Sequence, residues 1–557
     1  MKVIVKNKSF NIDTWLDDKL MDLGVYDKHS FINLTEACIE DLNNYDNMQE
    51  GLRLLEDSNK IGLLVDCDPD GYTSASEIYI YCDRIKKHID NIFFHTGKQH
   101  GLEDTYKDIL NADIDLLIVP DAGSNDFSYH KILKENNINT LVLDHHECDE
   151  GYSPYACVIN NQLSNNVRNK NLSGAGVTYK FIEYCDTNKY HVGCSDLIDL
   201  VALGNISDMM DISEDETRYY CLKGLNNINN RLFKAMVNKF ISGSINMLSV
   251  AWSVTPKINA IIRNGTAEDK ILLFEGLVNP TKKIETVKRG KQSKINMSTY
   301  IVEICDKIKR EQDNKVKDGV QLFTSSGKIN IDDKCIIIQV ENEIDNNITG
   351  LVANKLLGEY SRPIIILQHR HDDIYGGSVR SPRVFGECSS FRDYLQSSEI
   401  VELAQGHANA CGIEILESNI HKLKNKIEND FRNVVCEDSI IVDYEIDAIY
   451  LDNNTIKNIS QYKYLWGQGL EEPKFLIKNV EIDSDSIQMM CNKTILSFGY
   501  YGTFYNKKFC SRAFREDLGY ESEKSVKTKC DIVGTFEAEE YKGNTYYKVI
   551  IDKIIKK

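Results

Sequence analysis

Short apolar runs alternate with helical segments in the first part of the chain. Three apolar runs stand out, at residues 61–65, 115–119 and 141–143. The stretch over residues 74–87, between the first two runs, reads as a helix. Continuous apolar runs separated by helices are typical of strands that are buried on both faces of a sheet. The pattern therefore predicts a parallel βαβ arrangement, preceded by a helical lead-in to about residue 60 and followed by a mostly helical stretch.

The pattern changes further along the chain. A strand, a helix and a strand are predicted at residues 335–340, 349–359 and 363–367, which indicates a second α/β unit. Beyond about residue 433, short runs with turn signals predict a small β-barrel, with strands at residues 474–480, 494–498 and 546–551. We therefore predict an α/β protein of four segments: a parallel-sheet domain (1–240), a helical connector with a basic segment (241–330), a second α/β domain (331–432) and a β-barrel (433–557).

Length and composition limit the class of protein. A chain of 557 residues is too long for one hydrophobic core, and three or four domains are expected. No run approaches the roughly 20 apolar residues of a membrane span, and the N-terminus lacks the apolar stretch of a signal peptide. The sequence therefore predicts a cytoplasmic protein with no membrane partner.

Cysteine usage and net charge add two constraints. The 16 cysteines include no Cys-x-x-Cys pair, and Cys82, Cys185, Cys335 and Cys411 lie in apolar or helical segments. Reduced core thiols are therefore expected rather than disulfides or a zinc site. The net charge of −18 argues mildly against a nucleic-acid-binding protein, but it leaves room for a local basic groove on an acidic body.

Acidic and imidazole side chains follow each predicted strand of the first domain. They are Asp66, Asp68 and Asp70 after the first strand, Asp121 and Asp126 after the second, and Asp144, His145 and His146 after the third; Asp208 ends a later apolar segment. The carboxyl ends of parallel strands form one edge of a sheet, so these side chains are expected to meet. Because so many carboxylates repel one another, a divalent cation is predicted between them. Carboxylate with some imidazole favours Mn²⁺ or Mg²⁺, and two such ions suit a phosphoryl displacement.

Taken singly, each of these motifs has a second interpretation. The Asp66–Asp70 stretch is also compatible with a calcium loop or an acidic turn, and Asp144-His-His with coincidence. Asp208 alone is more often a helix cap or a solvated acid. The metal-site interpretation depends on the conjunction, because every motif lies just beyond an apolar run of one domain, in a consistent order.

The motifs VDCDPDGYTSA, IVPDAGSND, LVLDHHE and LVALGNISDMM resemble those of the DHH phosphoesterase superfamily. NLSGAGVTYKF is similar to that family's Ser-Gly-x-Gly helix start, and NNITGLVANKLLGEYSRPIIIL, GGSVRSP and AQGHANACGIEI resemble its associated second domain. The last motif has Gln405 where the family has a glycine. WSVTPKINAIIRNG and WGQGLEEPKFLIKNVEI resemble the RecJ branch, the second at the entry to an oligonucleotide-binding (OB) barrel.

The resemblance implies roles for the acidic motifs. The metal ligands would be Asp66, Asp68, Asp70, Asp121, His145 and Asp208. Asp121 is the best candidate to bridge two Mn²⁺ or Mg²⁺ ions. His146 would contact the scissile phosphate or a metal, and Asp144 would orient a histidine.

A phosphate-binding set is implied in the same way. Its members would be Arg263, Ser378, Arg380, Gly406 and His407, with Gly412 also allowing a close approach to the backbone. His407 would contribute to catalysis by facing the phosphate. Without the resemblance, Arg263 reads equally as a surface salt-bridge residue, and a histidine in a glycine-rich turn is usually structural.

The family implies a single-strand-specific 5′→3′ DNA exonuclease that releases 5′-mononucleotides, with single-stranded DNA as its partner. A single-strand-binding protein or a helicase, in DNA repair or recombination, would be further partners. Aromatic residues alternate with lysine over residues 498–509, where they serve either base stacking or the barrel core. Two alternatives remain: an enzyme acting on short oligonucleotides or cyclic dinucleotides, and a non-catalytic replication scaffold.

Overall fold

A computed structural model describes residues 2–557 except residues 8, 98, 149, 280, 289–290, 342, 437–438, 491–494, 509–514, 516–517, 519, 521–524 and 542. The chain forms two compact units. The larger unit contains residues 5–306 and 441–557, and the smaller unit contains residues 307–440 with the N-terminal residues up to Ile4. The division into four segments is finer than these two units and remains a prediction.

The strands are β1 Lys2–Asn7, β2 Ile61–Val65, β3 Ile89–Phe94, β4 Leu116–Pro120, β5 Asn139–Asp144, β6 Cys157–Asn160, β7 Lys283–Lys288, β8 Lys291–Asn296, β9 Ile336–Val340, β10 Ile364–His371, β11 Ile374–Arg380, β12 Leu403–His407, β13 Ala410–Leu416, β14 Ser439–Asp447, β15 Phe475–Asp483, β16 Gln488–Met490, β17 Ile495–Tyr500, β18 Thr503–Lys508, β19 Lys527–Tyr541 and β20 Asn544–Lys556.

The α-helices are α1 Trp15–Asp22, α2 Lys28–Ile32, α3 Met48–Asp57, α4 Pro69–Arg84, α5 Tyr106–Leu110, α6 Phe127–Glu135, α7 Gly174–Cys185, α8 Ile198–Ser207, α9 Asp215–Asn226, α10 Arg231–Phe240, α11 Met247–Ser253, α12 Thr255–Asn264, α13 Ala267–Val278, α14 Met297–Ser325, α15 Thr349–Tyr360, α16 Phe391–Ser397, α17 Glu417–Asp430 and α18 Asn453–Ser460.

The larger unit is built around a parallel sheet of order β3-β2-β4-β5-β6. Every residue of β2 and β4 is buried, which accounts for their continuous apolar sequences. Helices α4, α7 and α8 pack against one another beside this sheet. The predicted parallel sheet is confirmed, with β2, β4 and β5 as its central strands. The mostly helical stretch after it is also confirmed by α7 to α10.

The smaller unit has a five-stranded mixed sheet of order β12-β13-β11-β10-β9. Strands β9 and β10 are parallel, and the other neighbours are antiparallel. The predicted strand, helix and strand of this segment are confirmed as β9, α15 and β10. One face of the sheet forms an apolar core that includes Val379, Cys411 and Ile413.

The C-terminal part of the larger unit is a sheet that includes the order β14-β15-β19-β20-β18-β17-β16. Its strands β15, β17 and β20 coincide with the three predicted ones, although Thr494 lies outside the described residues. Within the aromatic run, Phe498 and Tyr505 stack inside the core, whereas Tyr501 and Phe504 are exposed. Phe509 lies outside the described residues.

The basic segment of the connector, for which the sequence predicted no secondary structure, interrupts its helices. It forms an antiparallel hairpin of β7 and β8, in which Ile284 lies opposite Ile295. Its β-branched residues Ile284, Thr286 and Ile295 favour extended structure. The rest of the connector is helical, as predicted.

Cys82, Cys185, Cys335 and Cys411 are buried free thiols, as expected. Among the helices that the structure describes, none combines the length and the apolarity needed to cross a membrane.

Candidate active site

The carboxyl ends of β2, β4 and β5 bring the predicted acidic motifs together. The side chains fall into three overlapping sets whose candidate ligand atoms all lie within 4.8 Å of one another: Asp66, Asp68 and Asp121; Asp121, Asp144, His145 and His146; and Asp70, His145 and Asp208. The six predicted metal ligands are therefore all present at one edge of the sheet. Asp121 belongs to two of the sets, as expected of a ligand that would be shared by two metal ions.

Asp126 is an exception among the predicted acids. Its Oδ2 accepts a hydrogen bond of 2.7 Å from the backbone N–H of Leu102, and it belongs to none of the three sets. Burial raises the pKa of Asp126 to about 6. This contact with the backbone indicates that Asp126 has a structural role and is not a metal ligand.

Asp121 has the most constrained position in the site. Its φ of +66° places it in the left-handed region, and its backbone N–H donates 2.8 Å to the carbonyl of Leu143. The side chain is 1% exposed, and neither carboxylate oxygen accepts a hydrogen bond from a described residue. The nearest imidazole nitrogen is Nε2 of His145, 3.3 Å from Oδ1. A buried carboxylate without donors fits a cation as its partner.

Asp70 is held by the first turn of α7. Ser173 Oγ donates 2.9 Å to Oδ1, and the backbone N–H groups of Gly174 and Ala175 donate at 2.7 and 3.2 Å. A helix N-terminus favours a negative charge at this position. There is no room for larger side chains around the acids, since a Cβ at Gly204 would meet Asp70 and one at Gly174 would meet Asp121.

The electrostatics of the site also fit a bound cation. Burial and the neighbouring carboxylate of Asp68 raise the pKa of Asp70 to about 6. Burial and nearby acids raise the pKa values of Asp121 and Asp208 well above their usual range. Carboxylates arranged in this way ionise together only when a cation offsets their repulsion, so the donor set fits divalent metal.

Asp144 and His146 form a hydrogen-bonded pair. Asp144 Oδ1 accepts from His146 Nδ1 at 2.7 Å and from the backbone N–H of His145 at 2.7 Å. Burial works against both charges, but the pairing lowers the pKa of Asp144 and raises the pKa of His146 to about 9. This is the contact that an orienting carboxylate makes, and it leaves Nε2 of the half-exposed His146 ring for other partners.

Two histidines that the sequence did not reveal contact Asp66, and Asp104, which the sequence also did not reveal, contacts one of them. His100 Nδ1 contacts Asp66 Oδ2, and His95 Nε2 lies 3.2 Å from Oδ1. On its other side, His95 Nδ1 lies 2.6 Å from Asp104 Oδ1, so the His95 ring lies between two carboxylates. Burial alone would raise the pKa of Asp66, but contact with His100 and His95 holds it below its usual range. These residues follow β3, whose mixed polar sequence gave no strand signal.

The smaller unit contains the predicted Ser378 and Arg380 at the end of β11. Ser378 Oγ lies 2.9 Å from Thr349 Oγ1, in the first turn of α15. A Cβ at Gly350 would lie 2.6 Å from Arg380 Nη2, so any side chain at this position would displace the guanidinium. Hydroxyls, a guanidinium and the N-terminus of a twelve-residue helix together suit an anion such as phosphate. Thr349 and Gly350 are residues of this cluster that the sequence did not reveal.

Strand register aligns three predicted motifs across this sheet. Arg380 is opposite Ala410, and Ala410 is opposite His407; two residues away, Ser378 is opposite Gly412, and Gly412 is opposite Gln405. Neighbours in register share a face of the sheet, so small residues separate Ser378 and Arg380 from Gln405 and His407. Gly406 has a φ of +123° and accepts a 2.6 Å hydrogen bond from Arg392 Nη1 at its carbonyl.

Arg263 belongs to the larger unit, in the last turn of α12. Its side chain is exposed, and α12 packs against α4 and α8, the helices that lead from Asp70 and to Asp208. The prediction that Arg263 binds phosphate together with Ser378 and Arg380 remains a prediction.

Comparison with known proteins agrees with the geometry. The model of the DHH family, N-terminal domain, matches residues 60–205, and that of the RecJ OB domain matches residues 442–553. The SPbeta prophage-derived protein YorK of Bacillus subtilis (strain 168), named for single-strand DNA-specific exonuclease activity, is 32% identical over 97% of this chain and 95% of its own. The chain belongs to the RecJ family. The predicted parallel-sheet DHH domain and C-terminal OB domain are thereby confirmed.

Other RecJ proteins extend the match across the fold. Single-stranded-DNA-specific exonuclease RecJ of Haemophilus influenzae is 23% identical over 89% of this chain and 87% of its own. The structure of Thermus thermophilus RecJ in complex with Mn²⁺ superposes with a TM-score of 0.73 at 17% identity, covering 100% of this chain and 80% of that one. This similarity shows that the RecJ fold extends over the whole chain.

Proposed function

We propose that this RecJ-family chain is a metal-dependent exonuclease that degrades single-stranded DNA from its 5′ end and releases 5′-mononucleotides. The observation that supports this most is the buried Asp121 carboxylate, which accepts no hydrogen bond from a described residue and belongs to two of the three overlapping ligand sets. Two Mn²⁺ or Mg²⁺ ions would be held by Asp66, Asp68, Asp70, Asp121, His145 and Asp208. When bound, they supply the charge that stabilises the attacking and leaving oxygens of phosphodiester hydrolysis.

The chain's own residues position the reaction. The first turn of α7 fixes the carboxylate of Asp70 through three donors. Asp144 holds the ring of His146, and we assign to His146 a contact with the scissile phosphate from its half-exposed position. His407 is assigned a second catalytic contact with that phosphate, from the sheet face that it shares with Arg380.

The 5′ polarity rests on the anion site in the smaller unit. A terminal phosphate has more charge than an internal diester, and the fork of donors on Arg380 suits it. Ser378, Thr349 and the start of α15 add hydroxyl and backbone donors at the same place. Arg263, Gly406 and His407 complete the proposed contacts with the strand. Binding of the terminal phosphate would determine from which end the strand is degraded.

The setting of the reaction is proposed from the family alone. The partner would be single-stranded DNA, and the place the cytoplasm. A single-strand-binding protein or a helicase would supply the strand during DNA repair or recombination.

Internally labelled single strands, blocked in turn at each end and incubated with Mn²⁺, test the activity and its direction. We expect degradation of the strand with a free 5′ end to mononucleotides and none when the 5′ end is blocked. Faster turnover of a dinucleotide than of a long strand would favour the short-oligonucleotide alternative. No turnover of any substrate with Mn²⁺ or Mg²⁺ would favour the scaffold alternative, against which the complete acid set argues.

A further inference from the structure

Trp252 is an unusually exposed tryptophan in the larger unit. Its side chain is 77% exposed, whereas Trp15 and Trp466 are each 1% exposed. Every residue from 246 to 262 is described, and Trp252 is the single exposed one among them. Tryptophan is highly buried on average, so a large ring outside the core suggests contact with another molecule.

The surroundings of Trp252 suggest what that molecule is. Helices α11 and α12 are joined by backbone hydrogen bonds from Val254 to Val250 and from Ile258 to Val254, so they form nearly one helix. Residues 252, 256, 259 and 263 follow one another at spacings of four, three and four, which places Arg263 on the same side of this nearly continuous helix as Trp252. Eleven residues of helix extend about 16 Å, a length that a few nucleotides can cover.

Polar atoms without partners lie on the same stretch. The Oδ1 of Asn259 and both side-chain polar atoms of Asn264 are buried and have no hydrogen-bond partner among the described residues. Such atoms are rare in folded proteins and fit a polar ligand that completes their hydrogen bonds. Arg263 adds an exposed guanidinium at the end of this stretch.

We propose that Trp252 is a base-stacking site for single-stranded DNA, and that α11 and α12 form a track along which the strand is held. The proposal rests on the proposed function and adds a residue to it. An indole face stacks on any unpaired base, whereas a guanidinium binds the phosphate between bases. The paired bases of a duplex do not offer this face, so stacking on Trp252 would favour single strands.

Tryptophan fluorescence gives a direct test, because the other two tryptophans are buried. The intact chain is titrated with oligothymidylate and with an abasic deoxyribose-phosphate strand of equal length, in chelator so that neither is cleaved. Oligothymidylate should quench the emission and protect it from iodide, and the abasic strand should do neither. In Trp252→Phe the response should disappear. Trp252→Ala should bind oligothymidylate about 5- to 150-fold more weakly but the abasic strand equally well.

Tyr26→Ala is the matched control, because Tyr26 is 87% exposed elsewhere in the larger unit and should not affect affinity. Circular dichroism and the Trp252→Phe variant, which keeps a ring, separate lost stacking from lost folding. The proposal is overturned if wild type binds oligothymidylate with no change in emission or iodide access, or if Trp252→Ala binds it as tightly. A wild type that neither binds nor degrades single strands overturns the proposed function, and this inference with it.

Discussion

Nε2 of His145 lies 3.3 Å from Oδ1 of Asp121, and no residue that the structure describes donates a hydrogen bond to that carboxylate. Two strands therefore deliver an imidazole and a buried acid to one point, and the acid lacks the partners that burial normally demands.

Asp104→Asn should weaken metal binding without removing a proposed ligand. Asp104 holds His95, and His95 holds Asp66, so the substitution loosens the orientation of Asp66. Losing a supporting contact of this kind typically costs about 10- to 100-fold in metal affinity. The concentration of Mn²⁺ at half-maximal rate should rise by that factor, and excess Mn²⁺ should restore the rate.

Asp126→Asn is the control, because Asp126 lies near the same edge but contacts the Leu102 backbone and none of the ligand sets. Its half-saturation with Mn²⁺ should stay near that of wild type. Equal Mn²⁺ dependence of Asp104→Asn and wild type would show that His95 does not support the site.

Gly350→Ala should impair recognition of a 5′-phosphate. The new methyl group would lie 2.6 Å from the present position of Arg380 Nη2, so the guanidinium must move. Gly358→Ala is a matched control in the same helix, since a Cβ there meets nothing within 4 Å. That control should keep its discrimination between 5′-phosphate and 5′-hydroxyl strands and gain about 0.5–1 kcal/mol of stability. If Gly350→Ala and Gly358→Ala preferred 5′-phosphate over 5′-hydroxyl strands to the same extent, Gly350 would not support the phosphate site.

Arg380→Ala should reduce the preference for 5′-phosphorylated strands, and Arg380→Lys should restore only part of it, because a lysine ammonium lacks the planar fork of donors. Each lost phosphate contact should also reduce the log–log salt slope of binding by roughly 0.7. Binding of strands with either 5′ end is measured over a range of salt concentrations. An unchanged preference in Arg380→Ala would place the terminal phosphate elsewhere.

Asp443→Asn should destabilise the larger unit. Asp443 accepts a 2.8 Å contact from the buried Lys19 and 2.9 Å from the backbone N–H of Lys474. Breaking a buried pair costs about 3–5 kcal/mol. Burial opposes the charge of Asp443, but Lys19 holds its pKa below the usual value, so the stabilisation is present at neutral pH and declines as the pH falls.

Urea unfolding at pH 7 and near pH 3 measures this difference. The gap between wild type and Asp443→Asn should be large at neutral pH and smaller in acid. Asp17→Asn, in the exposed pair with Lys28, should change stability by less than about 1 kcal/mol. A gap that widens as the pH falls would contradict the assigned role of Asp443.

The sequence predicted the core strands and the acids that follow them for the same reason. Strands β2 and β4 are buried on both faces, so their sequences are continuously apolar, and the acids begin where these strands end. By contrast, β3 contains Asp90 and Asn91, and its weak pattern concealed the strand and the histidines beyond it. The basic hairpin was not predicted, because its two strands contain too few apolar residues to give a strand pattern.

Long-range contacts could not be predicted from a single sequence. The hydroxyl of Tyr444 donates 2.6 Å to the carbonyl of Trp15, which links the N-terminal helices to the C-terminal sheet across 429 positions. Similarly, Asp104 and Asp66 are linked through His95, whose two ring nitrogens lie next to the two carboxylates. Local patterns specify which residues are buried in an element, but not which distant element covers them.

The most direct test of the metal-dependent site is Asp121→Asn, which keeps the shape of the side chain but removes its charge. Degradation of a labelled single strand and binding of Mn²⁺ by calorimetry are measured for wild type and variant. We expect wild type to require Mn²⁺ or Mg²⁺, and the variant to lose at least about 10²- to 10³-fold in rate, with weaker Mn²⁺ binding and an unchanged fold. Near-normal degradation by Asp121→Asn in saturating Mn²⁺ would contradict the account.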